Sequence, residues 1–163
     1  MDLKIAYLCT MKKRITFISD THTKHDKLSG FLTGGDILVH AGDLTGRGYI
    51  TEIENFAKWY DNINNYDTKV FIAGNHDWHY EGMKGELKSL RDEWIEKRLM
   101  PLYQGKNPLM AAYDIKGIKF LAIDNSTYEI NEEQLVFFSK QVESGLPIVL
   151  LIHIPMYVPG KKI

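Results

Sequence analysis

The chain has 163 residues, 44% of them hydrophobic and 25% charged, which is enough for one domain with a real core and too apolar for a disordered segment. Twenty basic residues against twenty-one acidic ones leave a formal net charge of -1, which argues against broad nucleic-acid or membrane-surface electrostatics. The single Cys9 excludes an internal disulfide and a cysteine-rich metal site and fits a reducing compartment, so a cytoplasmic location is expected.

Residues 1–10 read as an extension ahead of a single domain over residues 11–163. The short apolar Ile5–Leu8 stretch, followed by Lys12-Lys13-Arg14, makes a poor signal peptide, and no apolar run reaches the roughly 18 residues of a membrane span. Arg14 to Ser19, Ile37 to His40 and Lys69 to Ala73 are short β-branched or apolar runs bounded by Gly, Asp or Asn, the pattern of buried strands. Between the second and third, Thr51 to Ile63 places Ile53, Phe56, Ala57, Tyr60 and Ile63 at helical spacing, as a crossover helix. A further helix is predicted over about Glu86 to Leu99, stopped by Pro101.

Leu109 to Ile115 and Ile118 to Ile123 flank Lys116-Gly117, a hairpin with a tight glycine turn. Asn131 and Gln134 form a capping-box pattern for a helix through about Ser144, with Leu135, Phe138 and Val142 as its apolar stripe and Gly145 as its end. Pro147 to Ile152 is almost continuously apolar and is predicted to be a last strand buried on both faces. Strands alternating with helices give an α/β class.

The polar residues that follow these strands carry the chemistry. Asp20 with His22, then Asp43, Asn75 with His76, and His153 each sit just past the carboxyl end of a predicted strand. In an open α/β sheet those ends meet at one crevice. Carboxylates, an amide oxygen and imidazoles together suit Mn, Fe, Zn or Mg and do not suit soft thiolate-bound ions. A pair of ions needs a shared carboxylate, and Asp43 is the natural bridge. Such a pair lowers the pKa of a water and offsets charge in an in-line phosphoryl displacement. His76, beside Asn75 but on the other side of the backbone, is placed to protonate or stabilise a leaving oxygen, with Asp77 as its orienting partner. Arg47, flanked by Gly46 and Gly48, is a candidate phosphate clamp, and His79 a candidate substrate contact. The bland alternatives are an exposed turn arginine and a solvated loop histidine, and the latter applies to His25 as well. His40, within a strand, reads as a buried residue that supports the ligands from behind or packs the core, and Asp124-Asn125-Ser126, also past a strand end and so a candidate border of the crevice, as a turn or helix entry.

Asp20-Thr21-His22, Gly42-Asp43, Gly74-Asn75-His76-Asp77 and His153 resemble, in order, four of the five blocks of the calcineurin-like metallophosphoesterase superfamily. The front half, with Val39-His40-Ala41-Gly42-Asp43-Leu44-Thr45 and Phe71-Ile72-Ala73-Gly74-Asn75-His76-Asp77, is similar to the metallophosphoesterase-domain-containing branch near the class III cyclic-nucleotide phosphodiesterases. The resemblance implies a β-sandwich flanked by helices. It also implies one ion on Asp20, His22 and Asp43, a second on Asp43, Asn75 and His153, and hydrolysis of a small phosphodiester. The fifth block, Gly-His-x-His, has no counterpart after His153. The chain is therefore expected to be C-terminally incomplete, with one protein ligand fewer at each ion. A non-enzymatic scaffold on the same fold is the alternative function, and a homodimer a possible assembly; a nucleic-acid partner is disfavoured for want of a basic stripe.

Overall fold

The computed structural model describes residues 12–77, 110–125 and 129–155. The predicted helix over 86–99, the extension over 1–10, and His79 lie outside the described residues. Three parallel strands, β1 (Ile15–Ile18), β2 (Gly35–Ala41) and β3 (Tyr66–Ile72), form one sheet in that order. Helix α1 (Ile50–Asp61) makes the crossover from β2 to β3, which parallel neighbours require. A second sheet has the order β4 (Met110–Ile115), β5 (Ile118–Ile123), β6 (Ile148–Leu151), with β4 antiparallel and β6 parallel to β5. Helix α2 (Glu132–Val142) connects β5 to β6 and packs over β4 and β5.

The two-residue side-chain period divides β2 between two cores. Ile37 and Val39 join Ile72, Ala111, Phe120, Ala122 and Leu151 in a cluster that spans both sheets. Leu38 faces the other way and packs with Leu44, Phe56, Tyr60 and Tyr66 under α1. Both faces of β2 are thus covered, which explains its unbroken apolar run. The layers are α1, first sheet, second sheet and α2, the α/β sandwich the sequence leads one to expect. The β4–β5 hairpin turns at Lys116 and Gly117, with φ of 52° and 80°, the two positive values of a type I′ turn. The Lys116 ammonium then pairs with Asp67 and Asp36 of the first sheet.

Two expectations are corrected. The apolar stripe of α2 faces the sheet only through Phe138: Leu135 is 52% and Val142 41% exposed, whereas Gln134 is buried. Gln134 Nε2 donates to the Asp124 carbonyl at 2.7 Å while its Oε1 accepts from the Asn131 N–H at 2.9 Å. Those two bonds fix the rotation of the helix, so Gln134, Phe137, Phe138 and Gln141 point inward. Strand β6 is not buried on both faces either. Ile148, Val149 and Leu150 are half-buried and only Leu151 is fully covered, because among the described residues β6 pairs on one side alone.

Candidate metal centre

The first sheet brings its motif loops together with main-chain hydrogen bonds that continue past the strand ends. Asp20 N donates to Gly42 O at 3.0 Å, His22 N to Asp43 O at 3.0 Å, and Thr23 N to Leu44 O at 3.1 Å. To keep that ladder while turning their side chains into the crevice, Asp20, His22, Thr23 and Asp43 adopt left-handed backbone, with φ between 42° and 65°. Non-glycine residues enter this region at a cost of about 1–3 kcal/mol each, and such strain gathers at functional sites. Glycine is needed where the loops touch. A Cβ at Gly42 would lie 2.5 Å from His153 Nδ1, and one at Gly74 would overlap both the carboxylate and the backbone nitrogen of Asp43.

Asp43 is the hub. Only 3% exposed, it accepts from His76 N through Oδ1 at 2.9 Å. Its Oδ1 lies 3.3 Å from His153 Nε2 and its Oδ2 3.5 Å from His22 Nε2. Burial alone would push its carboxyl up, but the hydrogen bonds from His153 and from His76 N outweigh it and hold Asp43 below the usual carboxylate range. His153 moves the opposite way. Burial opposes its charge, yet Asp43 and the Ala41 carbonyl raise it to about 9.

Three imidazoles share one arrangement. His22 Nδ1 lies 3.2 Å from Thr45 O, His76 Nδ1 2.9 Å from Gly46 O, and His153 Nδ1 2.8 Å from Ala41 O. A carbonyl oxygen can only accept, so each Nδ1 carries the proton. When the ring is neutral, each Nε2 therefore keeps its lone pair. This tautomer lock is what main-chain partners impose on metal-ligating histidines. Lone pairs of His22 and His153 beside the Asp43 carboxylate repel one another unless a proton or a cation stands between them. The donor atoms of His22, Asp43 and His76 lie within 4.8 Å of one another, as do those of Asp20, Asp43 and His153. The two groups share Asp43, and their mixed oxygen and nitrogen character fits a hard to borderline divalent ion. In this grouping Asp20 stands with His153 and not with His22, unlike the set the resemblance implies. Half-buried Asn75 opens the short 3₁₀ turn Asn75–Asp77, next to Gly74 and its contact with Asp43.

Asp77 does not orient the His76 ring. Its buried carboxylate accepts from Leu44 N at 3.1 Å, Thr45 N at 2.8 Å and Gly74 N at 2.7 Å, with Thr45 Oγ1 at 2.8 Å. Burial raises its pKa and these donors oppose the rise. Asp77 thus ties the Gly42-Asp43 loop to the Gly74-Asn75-His76-Asp77 loop, while the Gly46 carbonyl orients His76. Arg47 is exposed in the turn directly after Gly46, and its N–H donates to Glu52 Oε2 at 3.0 Å.

Two side chains support the ligands from behind, and the partners of Asn125 are the ones the sequence does not show. Asn125 Oδ1 accepts from His153 N at 3.2 Å and Ile154 N at 3.1 Å, and Asn125 Nδ2 donates to Ile154 O at 2.6 Å, so one amide clamps the His153 loop. His40 Nε2 lies 3.0 Å from Thr21 Oγ1 behind the Asp20–His22 turn. A strand-end Asn offers no sequence signal of its own partner, since Ile154 is 29 residues away. His40 is buried as expected, with its ring edge against Phe56.

The comparisons with known proteins agree with this geometry. Human metallophosphoesterase domain-containing protein 1 is 37% identical over 68 residues, 42% of this chain and 20% of that protein. A UPF0046 protein of Caenorhabditis elegans is 37% identical over 70 residues, 43% of this chain and 25% of its own length. The chain thus matches a quarter or less of these curated relatives. The solved structure of purple acid phosphatase PPD1 from yellow lupin seeds superposes with a TM-score of 0.55 at 18% identity, over 81% of this chain and 28% of the phosphatase, a likeness of fold. Among the described residues no helix is long and apolar enough to cross a membrane. The sequence profile described as calcineurin-like phosphoesterase matches residues 13–162, and the chain belongs to that family of metal-dependent phosphoesterases.

Proposed function

We propose that this chain hydrolyses phosphoesters, with a small phosphodiester as substrate, and that Asp20, His22, Asp43, Asn75 and His153 would hold two divalent ions (Mn, Fe, Zn or Mg). The observation that carries this reading is the convergence of His22 Nε2 and His153 Nε2 on the buried Asp43 carboxylate, each ring fixed through its Nδ1 by a main-chain carbonyl. Asp20, Asp43 and His153, with the neighbouring Asn75, would hold one ion, and Asp43 with His22 the other. When bound, such ions supply an activated water and offset charge on the phosphoryl oxygens.

The chain's own residues do the rest. His76 is the exposed histidine of the three, so it faces substrate. Its Nδ1–H stays on Gly46 O, which leaves Nε2 as the atom that carries a proton to the leaving ester oxygen or hydrogen-bonds the charge there. Asp77 and Thr45 hold the two loops at fixed separation, keeping His76 in register with Asp43. Arg47, adjacent to that carbonyl, is the proposed clamp on a non-bridging phosphate oxygen.

The test is metal titration with elemental analysis, run beside turnover of bis(4-nitrophenyl) phosphate. Asp43→Asn should abolish stoichiometric metal and lower the rate by about 10³-fold or more, a loss comparable to removing a principal electrostatic stabiliser. His76→Ala should slow turnover by about 10²-fold with metal retained. Unchanged metal content and rate in Asp43→Asn would overturn the reading.

A further inference from the structure

Outside the metal centre, a cleft of about 600 Å³ lies between the 3₁₀ turn His25–Leu28 and α1, within the size range of small-molecule sites. Thr23, His25, Glu52, Asn55, Lys58 and Trp59 contribute to its walls. His25 is only 4% exposed, and its Nδ1 is buried without a hydrogen-bond partner. A buried nitrogen left unpaired is destabilising, because it has given up its hydration for nothing. Burial also lowers the pKa of His25, despite Asp26 nearby, which keeps the ring neutral. The contrast with the metal centre is chemical: a main-chain carbonyl fixes the tautomer of His22, His76 and His153, whereas among the described residues no partner meets His25 Nδ1. Its ring lies instead 4.9 Å from the Trp59 indole, in a tilted contact, and edge-on to Phe56 at 5.7 Å.

Two walls of this cleft are continuous with the metal centre. Thr23 directly follows His22. Glu52 receives the Arg47 N–H, one residue past the Gly46 carbonyl that orients His76. The cleft therefore adjoins the Gly46 side of the metal centre, where a Cβ on Gly46 would lie 3.4 Å from Glu52 Oε1. The lining also limits what that group can be. Trp59 offers flat aromatic surface, and exposed Asn55 an amide donor–acceptor pair. Asp26 and Glu52 outnumber Lys58 and disfavour a second anion.

We propose that this cleft takes the non-departing organic group of the phosphodiester, an uncharged flat ring with hydrogen-bonding edges, and so sets substrate preference. The proposal rests on the hydrolase reading above, and two measurements separate their failures. The first compares 4-nitrophenyl phenyl phosphate with methyl 4-nitrophenyl phosphate, which share a leaving group and differ only in the retained ester. The metal-loaded chain should show about tenfold lower KM for the phenyl ester, the factor one stacked ring supplies. Trp59→Ala should erase that preference and leave the methyl ester's kcat/KM within about twofold. Asn55→Trp, at an exposed helix position, should do the same by filling the cleft without touching the core. The second titrates metal-free protein with benzamide, following the Trp59 indole and His25 ring signals by NMR. Shifts at both support the cleft as a ring site. Their absence, or a phenyl preference intact in both variants, overturns the proposal. Benzamide shifts with no turnover of either diester would instead overturn the hydrolase reading, and with it the substrate role given to the cleft.

Discussion

On the β1–β2–β3 sheet the ligands are aimed by the main chain itself: Asp20, His22 and Asp43 stand in left-handed conformation, laced together by the Gly42, Asp43 and Leu44 carbonyls. On the β4–β5–β6 sheet His153 is aimed by borrowed side chains, with Asn125 holding its loop and Gln134 holding the Asp124 carbonyl just before Asn125. The first arrangement is local and steric, so it tolerates little change at the glycines and strained residues. The second is long-range and polar, so it should loosen by degrees when one amide is removed.

The largest effect expected on the first sheet is in acid. Burial lowers His40 to about 3, opposed by Asp20 and Asp43 and reinforced by His25 and His153. The folded pKa lies below the ordinary 6.5, so between those values the unfolded chain binds more protons. The stabilisation is therefore complete above about pH 6.5 and is lost progressively as pH falls toward 3. The limit is about 4–5 kcal/mol. His25 acts in the same direction. Replacing His40 with Gln, which keeps a partner for Thr21 and does not titrate, should flatten the fall in denaturation midpoint over that range. An unchanged acid limb would place the sensitivity elsewhere.

Gly74→Ala comes next, at about 3 kcal/mol, because the added methyl meets the Asp43 carboxylate and backbone nitrogen together and neither can retreat. Thermal unfolding should report the loss and metal titration a weakened centre. A fully stable, metal-binding variant would show that the loops are less tightly opposed than their contacts indicate. On the other sheet, Asn125→Ala should weaken metal binding by about 10–100-fold at the Asp20–Asp43–His153 group while the His22–Asp43–His76 group stays intact. If it instead costs as much unfolding free energy as Gly74→Ala, the contrast between the sheets fails.

Legibility in the sequence follows the same division. Asp20, His22, Gly42, Asp43, Gly74 and Asn75 form short blocks because steric demands act between near neighbours, and glycine marks the places where chains touch. The strands and α1 were readable for a related reason, since burial on one or two faces leaves a periodic trace. Asn125 and Thr45 left no trace. Their partners are chosen by the folded geometry across 28 to 32 residues, and a polar residue at a strand end looks like a turn former whatever it binds. The role first given to Asp77 failed on the same ground: adjacency to His76 suggested a pair, but the Leu44, Thr45 and Gly74 donors had the stronger claim on a buried carboxylate.

Helix α2 provides the smallest effect and the sharpest reading of how polar contacts override pattern. Its apolar residues alone rotate Leu135 and Val142 toward the sheet, yet both are more than two-fifths exposed and Gln134 is buried in their place. The capping box and the bond to Asp124 outweigh the hydrophobic gain because a buried amide must be satisfied on both ends, whereas a leucine at a helix surface loses only part of its burial. Leu135→Lys should then change stability by no more than about 0.5 kcal/mol, as at an ordinary surface site. Gln134→Ala should cost about 1–2 kcal/mol, since it removes half of the cap and strands the Asp124 carbonyl. Chemical denaturation of the two variants side by side decides the matter. If Leu135→Lys is the costlier, α2 sits rotated toward its apolar stripe, and the amide chain from Gln134 through Asp124 and Asn125 cannot be what aims His153.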